Sequence, residues 1–403
     1  MAFPYTQTGQ KISTVSQGVT VYGCFGMGGL NNPSATEANA QNTVKFGFTA
    51  TNFRVFLAAN TLSGNLDITV RRNTAAGNCT VQYLTTVTGE KEDLTNTDTF
   101  VSNDISAIEY KAAAGTGSSQ PQTIQTVITP ATTQGITYVS SRPGIRAFST
   151  NNLVNPIQIG GGLEVALTET LTQQTFRVAG TIANYAVRCS ANTRTASDVT
   201  CGIRKAGANG NSLVTFATGA EYIQDTTNTD TITSGDLING HTTLGASGGT
   251  FSQTLQTFEF TATSGTDIQY LAGGQSAFPV STTRYVALSG IPTQQATEAN
   301  NQSKIYQPAT FNLMRTFVGT NTLTATSTIT FRKNSVNGNQ TYTYTSAEVG
   351  FKEDTTNTDT VISGDKVNFQ IATGGTGTSI TVGTWGVNAT YPAGGNSNFF
   401  FFH

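Results

Sequence analysis

Three copies of the frame Asp-x-Thr-Asn-Thr-Asp-Thr occupy residues 93–99, 225–231 and 354–360. Their oxygen-bearing side chains, Asp93, Asn96 and Asp98, then Asp225, Asn228 and Asp230, then Asp354, Asn357 and Asp359, are the hard ligands a calcium ion accepts. The same residue types also cap tight turns by accepting backbone N–H groups, while the threonines lead into a following strand. The frame lacks the ligand spacing of a dedicated calcium loop. Turn capping is therefore the expected role, and no metal is expected.

Other reactive types are few. Glu92-Asp93 and Glu353-Asp354 are paired carboxylates of the sort used in glycoside hydrolysis, but the middle copy reads Gln224-Asp225. Adjacent residues on a strand also point to opposite faces. The chain has two histidines, His241 and His403, and neither recurs in the other copies. A Ser-His-Asp arrangement on His241 is weighed against a solvated turn histidine after Asn239-Gly240, and the turn is expected. No P-loop and no dinucleotide-binding glycine pattern is present, and Cys24 and Cys79 follow no metal-ligand spacing. The expectation is a protein that is not an enzyme, with no catalytic residue and no cofactor.

These residues must be positioned by a scaffold, and the scaffold repeats. The Asp frames lie 132 and 129 residues apart. Upstream of them recur Val70-Arg71-Arg72-Asn73, Ile203-Arg204-Lys205-Ala206 and Phe331-Arg332-Lys333-Asn334, with Gly77-Asn78, Gly210-Asn211 and Gly338-Asn339 between. Thr36-Glu37-Ala38-Asn39 matches Thr297-Glu298-Ala299-Asn300, and Thr168-Glu169 fills the middle copy. Matches around Ala2-Phe3, Ala147-Phe148 and Ala277-Phe278 place the units at 1–146, 147–276 and 277–403. Each is near the usual size of a self-sufficient domain.

Charged residues are 11% of the chain and glycines number 42, a composition of sheets and turns. Residues 326–332, 340–345 and 366–371 alternate with the period of a half-buried strand. Asn337-Gly338, Gly364-Asp365 and residues 374–377 read as the turns between them. The expected fold is all-β: three tandem antiparallel β-sandwich domains of jelly-roll type.

Cys189 and Cys201 align with Phe56 and Ile68 and with Phe317 and Ile329, so small buried hydrophobes are expected ahead of a disulfide. The repeated basic pairs are expected to flank a hairpin turn, one side chain per face. Trp385, the one tryptophan, lies in a last-strand pattern and is expected in the core or at a domain edge. The aromatic tail containing Phe400, Phe401 and Phe402 would be an aggregation hazard in solvent, so an assembly contact is expected there. A net charge of −2 gives no basic field for nucleic acid. No signal peptide is read at the N-terminus, and no run of 18 apolar residues implies a membrane span.

Taken together, the Phe331-Arg-Lys-Asn334 stretch, the Asn337-Gly338 pair, the frame at 354–360, Ser363-Gly-Asp365 and the Ile-Thr-Val-Gly-Thr-Trp strand ending at Trp385 resemble jelly-roll modules of the tumour-necrosis-factor and C1q type found in bacteriophage virion surface proteins. The resemblance covers most of units one and three and is poorer in unit two. It implies a capsid decoration or cement protein, or a head fibre, made in the host cytoplasm and carried on the virion surface. Its partners would be capsid or other virion proteins, in a homo-oligomer or in a pseudo-threefold unit made by the three copies themselves. The alternative is a tail fibre or adhesin recognising cell-surface glycan. An extracellular filament or surface-layer subunit also fits the composition.

Overall fold

The computed structural model describes residues 5–10, 14–25, 33–131, 135–148, 153–155, 161–162, 168–289 and 294–392. Phe400, Phe401, Phe402 and His403 lie outside the described residues. Strands and three short 3₁₀ turns make up the regular structure among the described residues.

In the first unit, besides the two-residue strands Val15–Ser16 and Asn42–Thr43, eight main strands run in order: Tyr5–Gln10, Thr20–Gly23, Phe48–Asn60, Leu66–Arg72, Ala75–Tyr83, Gly89–Asp93 continued by Asp98–Phe100, Ile105–Ala112 and Ser118–Pro130. One sheet has the order first, eighth, third, sixth and the other second, seventh, fourth, fifth. Nested pairing of first with eighth, second with seventh, third with sixth and fourth with fifth is the jelly roll, and it recurs in the other two sheet pairs. All pairings are antiparallel among the described residues except a two-residue contact of Gly161–Gly162 with Ser140 and Ser141.

Alternating apolar residues drive each sandwich shut. Val70, Ile68 and Leu66 face Ala50, Phe53, Val55 and Leu57 across the first core, all buried. The fourth and fifth strands are joined by two residues with positive φ: Asn73 and Thr74, Ala206 and Gly207, or Asn334 and Ser335. Two such residues make the turn whose twist matches the flanking strands. The expected turn at Asn337-Gly338 is therefore displaced: both residues lie inside the strand Val336–Tyr344. What demands glycine there is space. A Cβ on Gly77, Gly210 or Gly338 would sit 2.6 Å from a carboxylate oxygen of Asp98, Asp230 or Asp359.

Two strands cross the unit boundaries expected from sequence. Gly135–Phe148 pairs with Phe251–Ala262, and Asp267–Pro279 pairs with Ser379–Thr390, so each belongs to the sheet pair that follows it. Ala147-Phe148 and Ala277-Phe278 fall at the end of the first strand of their units, not before it, and Ala2-Phe3 lies outside the described residues. The cysteine register also moves by one. Cys189 on Gly180–Asn192 stands where Leu57 and Val318 stand, because the segment leading to the next strand is one residue longer in the middle unit. Cys189 and Cys201 are buried free thiols, and burial pushes each up to about 12.

Candidate functional site

The repeated Asp frame builds the same device three times. Asp93 Oδ1 accepts from the backbone N–H groups of Thr95 and Asn96, and Oδ2 accepts from Thr80 N at 3.0 Å. Asp98 accepts from Asn78 N at 2.7 Å and Cys79 N at 2.9 Å. Asp225 with Asp230, and Asp354 with Asp359, repeat the pattern. The sixth strand is thereby clipped to the fifth through carboxylates, which bind N–H groups more strongly than neutral acceptors do. Burial pushes these carboxyls up, but the N–H donors outweigh it and hold Asp225 at about 2 and Asp93 and Asp354 below the usual range. Asn96, Asn228 and Asn357 donate to the same oxygens. Among the described residues no three His, Cys, Asp or Glu side chains converge as a metal site.

The repeated basic and acidic motifs meet each other. Arg71 grips Glu37 with two bonds of 3.1 Å, Arg204 grips Glu169, and Arg332 grips Glu298. Those glutamates open the 3₁₀ turns Glu37–Ala40, Glu169–Leu171 and Glu298–Asn301, so each fork pins a small wedge to its own unit. The second basic residue of the first two pairs reaches the next carboxylate: Arg72 to Asp104 and Lys205 to Asp236.

Each wedge presses on the next unit, and the sequence of contacts closes. Ala40 packs with Leu255 of unit two. Leu171 lies over unit three, where a Cβ on Gly383 would meet its carbonyl oxygen at 2.9 Å and one on Gly319 its Cδ2 at 2.6 Å. The carbonyl of Asn300 accepts from Thr123 Oγ1 of unit one at 3.0 Å. The chain thus forms a ring of three sandwiches. The eighth strand of each, in Ser118–Pro130, Phe251–Ala262 or Ser379–Thr390, is buried along both faces because one face meets its own core and the other the neighbouring unit.

Aligned positions make the closing contacts, with different chemistry at each junction. Position 45 and its counterparts 177 and 306 supply Lys45, Arg177 and Tyr306. Lys45 Nζ donates to Tyr222 Oη at 3.0 Å. Arg177 forks onto Glu353 at 2.8 and 2.6 Å. Tyr306 Oη donates to Glu92 at 3.2 Å, beside Lys304 on the same carboxylate at 2.7 Å. Glu92 and Glu353, which sequence offers as hydrolytic candidates, are thus junction residues. Glu90 takes Arg54 and Lys366, each at 2.7 Å, and although burial pushes its carboxyl up, these donors leave it well below the usual carboxylate range.

A bulge aims the arginines at the junctions. Asn52, Asn184 and Leu313 have φ near +52°, beside register shifts between the third and eighth strands, two residues before Arg54, Ala186 and Arg315. Arg315 donates to the Thr175 carbonyl of unit two at 2.9 Å, and Arg54 to the Gln302 carbonyl of unit three at 3.4 Å. Where unit two has alanine, Lys45 enters from unit one. Sequence patterns miss these residues because they differ from copy to copy; the one signal is a charge inside the apolar run Phe53-Arg54-Val55.

Trp385 is core-facing, with Nε1 donating to the Ala287 carbonyl. His241 departs from expectation. It lies in the strand Leu237–Leu244 and is 5% exposed, and burial, aided by Arg204, lowers it to about 4. A turn cannot form after Asn239-Gly240 because both residues pair with Arg204 and Ile203 in the sheet.

The sequence matches no protein-family model and no curated protein. Among solved structures the chain is similar to one concerned with the triple jelly roll fold and turret assembly in an archaeal virus, at 10% identity and a TM-score of 0.20 over 96% of this chain and 91% of that one. It is similar to another from the atomic structure of Sulfolobus turreted icosahedral virus, at 10% identity and a TM-score of 0.20 over 95% and 92%. Likeness of that degree carries no argument about this chain, whose fold is read from its own strand order. No helix among the described residues is long and apolar enough to cross a membrane.

Lys45 makes one junction sensitive to pH. Burial lowers its ammonium to about 7, with Glu259 raising it and Arg188 lowering it further. The unfolded chain therefore holds a proton that the folded ring has shed between about pH 7 and the ordinary lysine range. Stability from this group rises with pH across that window, and the cost of burying the charge is fully present below it. Substituting Lys45→Met is expected to raise the melting temperature most near pH 6, with the gap to the parent narrowing towards pH 9. A gap independent of pH in melts of the two proteins would refute the assignment.

Proposed function

We propose that this chain is a virion structural protein whose single polypeptide supplies a complete pseudo-threefold block. Its finer role in this reading is capsid decoration or cement, or a head fibre, stabilising the particle surface through protein contacts. The three units are proposed to be separate sandwiches beginning near residues 5, 135 and 267. The observation that carries the reading is ring closure: aligned positions in all three units make the junctions and are thereby engaged in holding shape. The carboxylates a hydrolase would need are occupied by arginine, lysine and tyrosine donors.

Both ends of the described chain lie at one pole of the ring. Tyr5 pairs with Ile128 near the end of its partner strand, and Thr390 closes the last strand. Residues 393–403, carrying Phe400, Phe401 and Phe402, follow in sequence and are proposed as the contact with the particle. The test compares the full chain with one ending at residue 392. Both are expected to sediment as monomers, the full chain at 42.3 kDa, and only the full chain to co-sediment with particles lacking it and raise their heat resistance. Equal binding by both would overturn the role of the tail. No binding by either, with saturable attachment to host cells, would replace this reading with a glycan-recognising fibre.

A further inference from the structure

The core of the middle unit departs from its neighbours at one aligned position after another. On the seventh strand, where units one and three place Ile108 and Phe369, it has Gly240. Where they place Tyr110 and Ile371 it has Thr242. On the eighth strand Gln253 replaces Pro121 and Val382, and Gln256 replaces Ile124 and Trp385. Cys189 and Cys201 replace Leu57 with Val318 and Ile68 with Ile329.

These polar groups are deep and imperfectly partnered. Gln253 is 0% and Gln256 3% exposed. Thr242 Oγ1 donates to Gln253 Oε1 at 2.8 Å, and Tyr185 Oη reaches Gln256 Oε1 at 3.5 Å. Nε2 of both glutamines has no hydrogen-bond partner. Turning either amide over exchanges which polar atom lacks one. A buried polar atom without a partner loses its hydration and gains nothing in return. Gly240 is part of the same arrangement, since a Cβ there would lie 2.6 Å from Gln256 Oε1. The amide fills space that an apolar side chain fills in the other cores.

We propose that the middle unit is the element at which the ring opens: it loses its structure before units one and three do. Two of the three junctions belong to it, through Lys45 on Tyr222 and through Leu171 and Arg177 on unit three. Its opening releases both and leaves only the contacts of unit three with unit one. The flanking units stay joined by Lys304 and Lys366 on Glu92 and Glu90. This proposal goes beyond the assignment to a virion and does not depend on it.

Hydrogen exchange on the full chain in increasing urea tests the order directly. Amides in Val199–Lys205, Leu237–Leu244 and Phe251–Ala262 are expected to exchange through an opening that appears at lower urea than for the aligned strands of units one and three. The near-isosteric substitution Gln256→Leu is expected to raise the first melting transition by about 3–8 °C. The converse, Ile124→Gln, is expected to move the first unit's exchange down to join the middle one. Equal or greater protection of the middle strands would overturn the proposal. So would a lowered first transition in Gln256→Leu, because the amide would then be shown to stabilise the core it sits in.

Discussion

Asp359→Ala is expected to cost the third unit about 3–4 kcal/mol, since two backbone N–H groups and the Gln340 amide lose a charged acceptor. Gly338→Ala is expected to cost about 1–3 kcal/mol by driving a methyl group into the same carboxylate. The informative protein is the double variant. Once Asp359 is absent the methyl group has room, so the pair should cost no more than Asp359→Ala alone, and urea denaturation of the four proteins measures the coupling. Additive losses would show that the glycine serves some other purpose. The same cycle is expected at Gly77 with Asp98 and at Gly210 with Asp230, where the spacing is also 2.6 Å.

Arg54→Ala is expected to destabilise the closed ring by about 3–5 kcal/mol, the usual result of removing one partner from a buried ion cluster. Arg54 is 1% exposed and bonds Glu90, Gln125 and the Gln302 carbonyl. Its loss takes the guanidinium from Gln125, whose Oε1 still accepts from Lys304 N at 3.0 Å, and from that carbonyl, at the one junction with no chain segment joining its two units. The separation should be visible as a larger radius of gyration in solution scattering, strongest at high salt, where Lys304 and Lys366 hold less well on the glutamates. Alanine at the aligned position 186 is tolerated because Lys45 fills that junction. A variant as compact and as stable as its parent would mean that the wedges alone close the ring.

The sandwich was legible wherever local periodicity and turn chemistry agree. The strands expected at residues 326–332, 340–345 and 366–371 overlap Ser327–Lys333, Val336–Tyr344 and Lys366–Ala372, the first two windows each overrunning the observed strand by one residue. The Asn337-Gly338 pair misleads because it has the composition of a turn, whereas its glycine answers to Asp359 on the facing sheet. His241 misleads for a related reason: Asn239-Gly240 sits in a strand, where the glycine makes room for Gln256. The triplication revealed which residues recur, among them the Arg-Glu forks, but the junctions depend on what does not recur. Lys45, Arg177 and Tyr306 share a position but neither a residue type nor a kind of partner, so a repeat-based reading passes over them. Their role becomes visible only when each is seen against the unit that follows.

Having all three sandwiches on one polypeptide removes concentration from the problem of cohesion. A trimer of separate chains falls apart on dilution, whereas here each partner is tethered and the closing contacts form intramolecularly. A substitution in such a trimer would also strike every interface at once. In this chain it strikes one, which leaves room for a lysine sunk against a tyrosine, a leucine over two glycines and a cluster of glutamates and lysines to have arisen independently around a single axis.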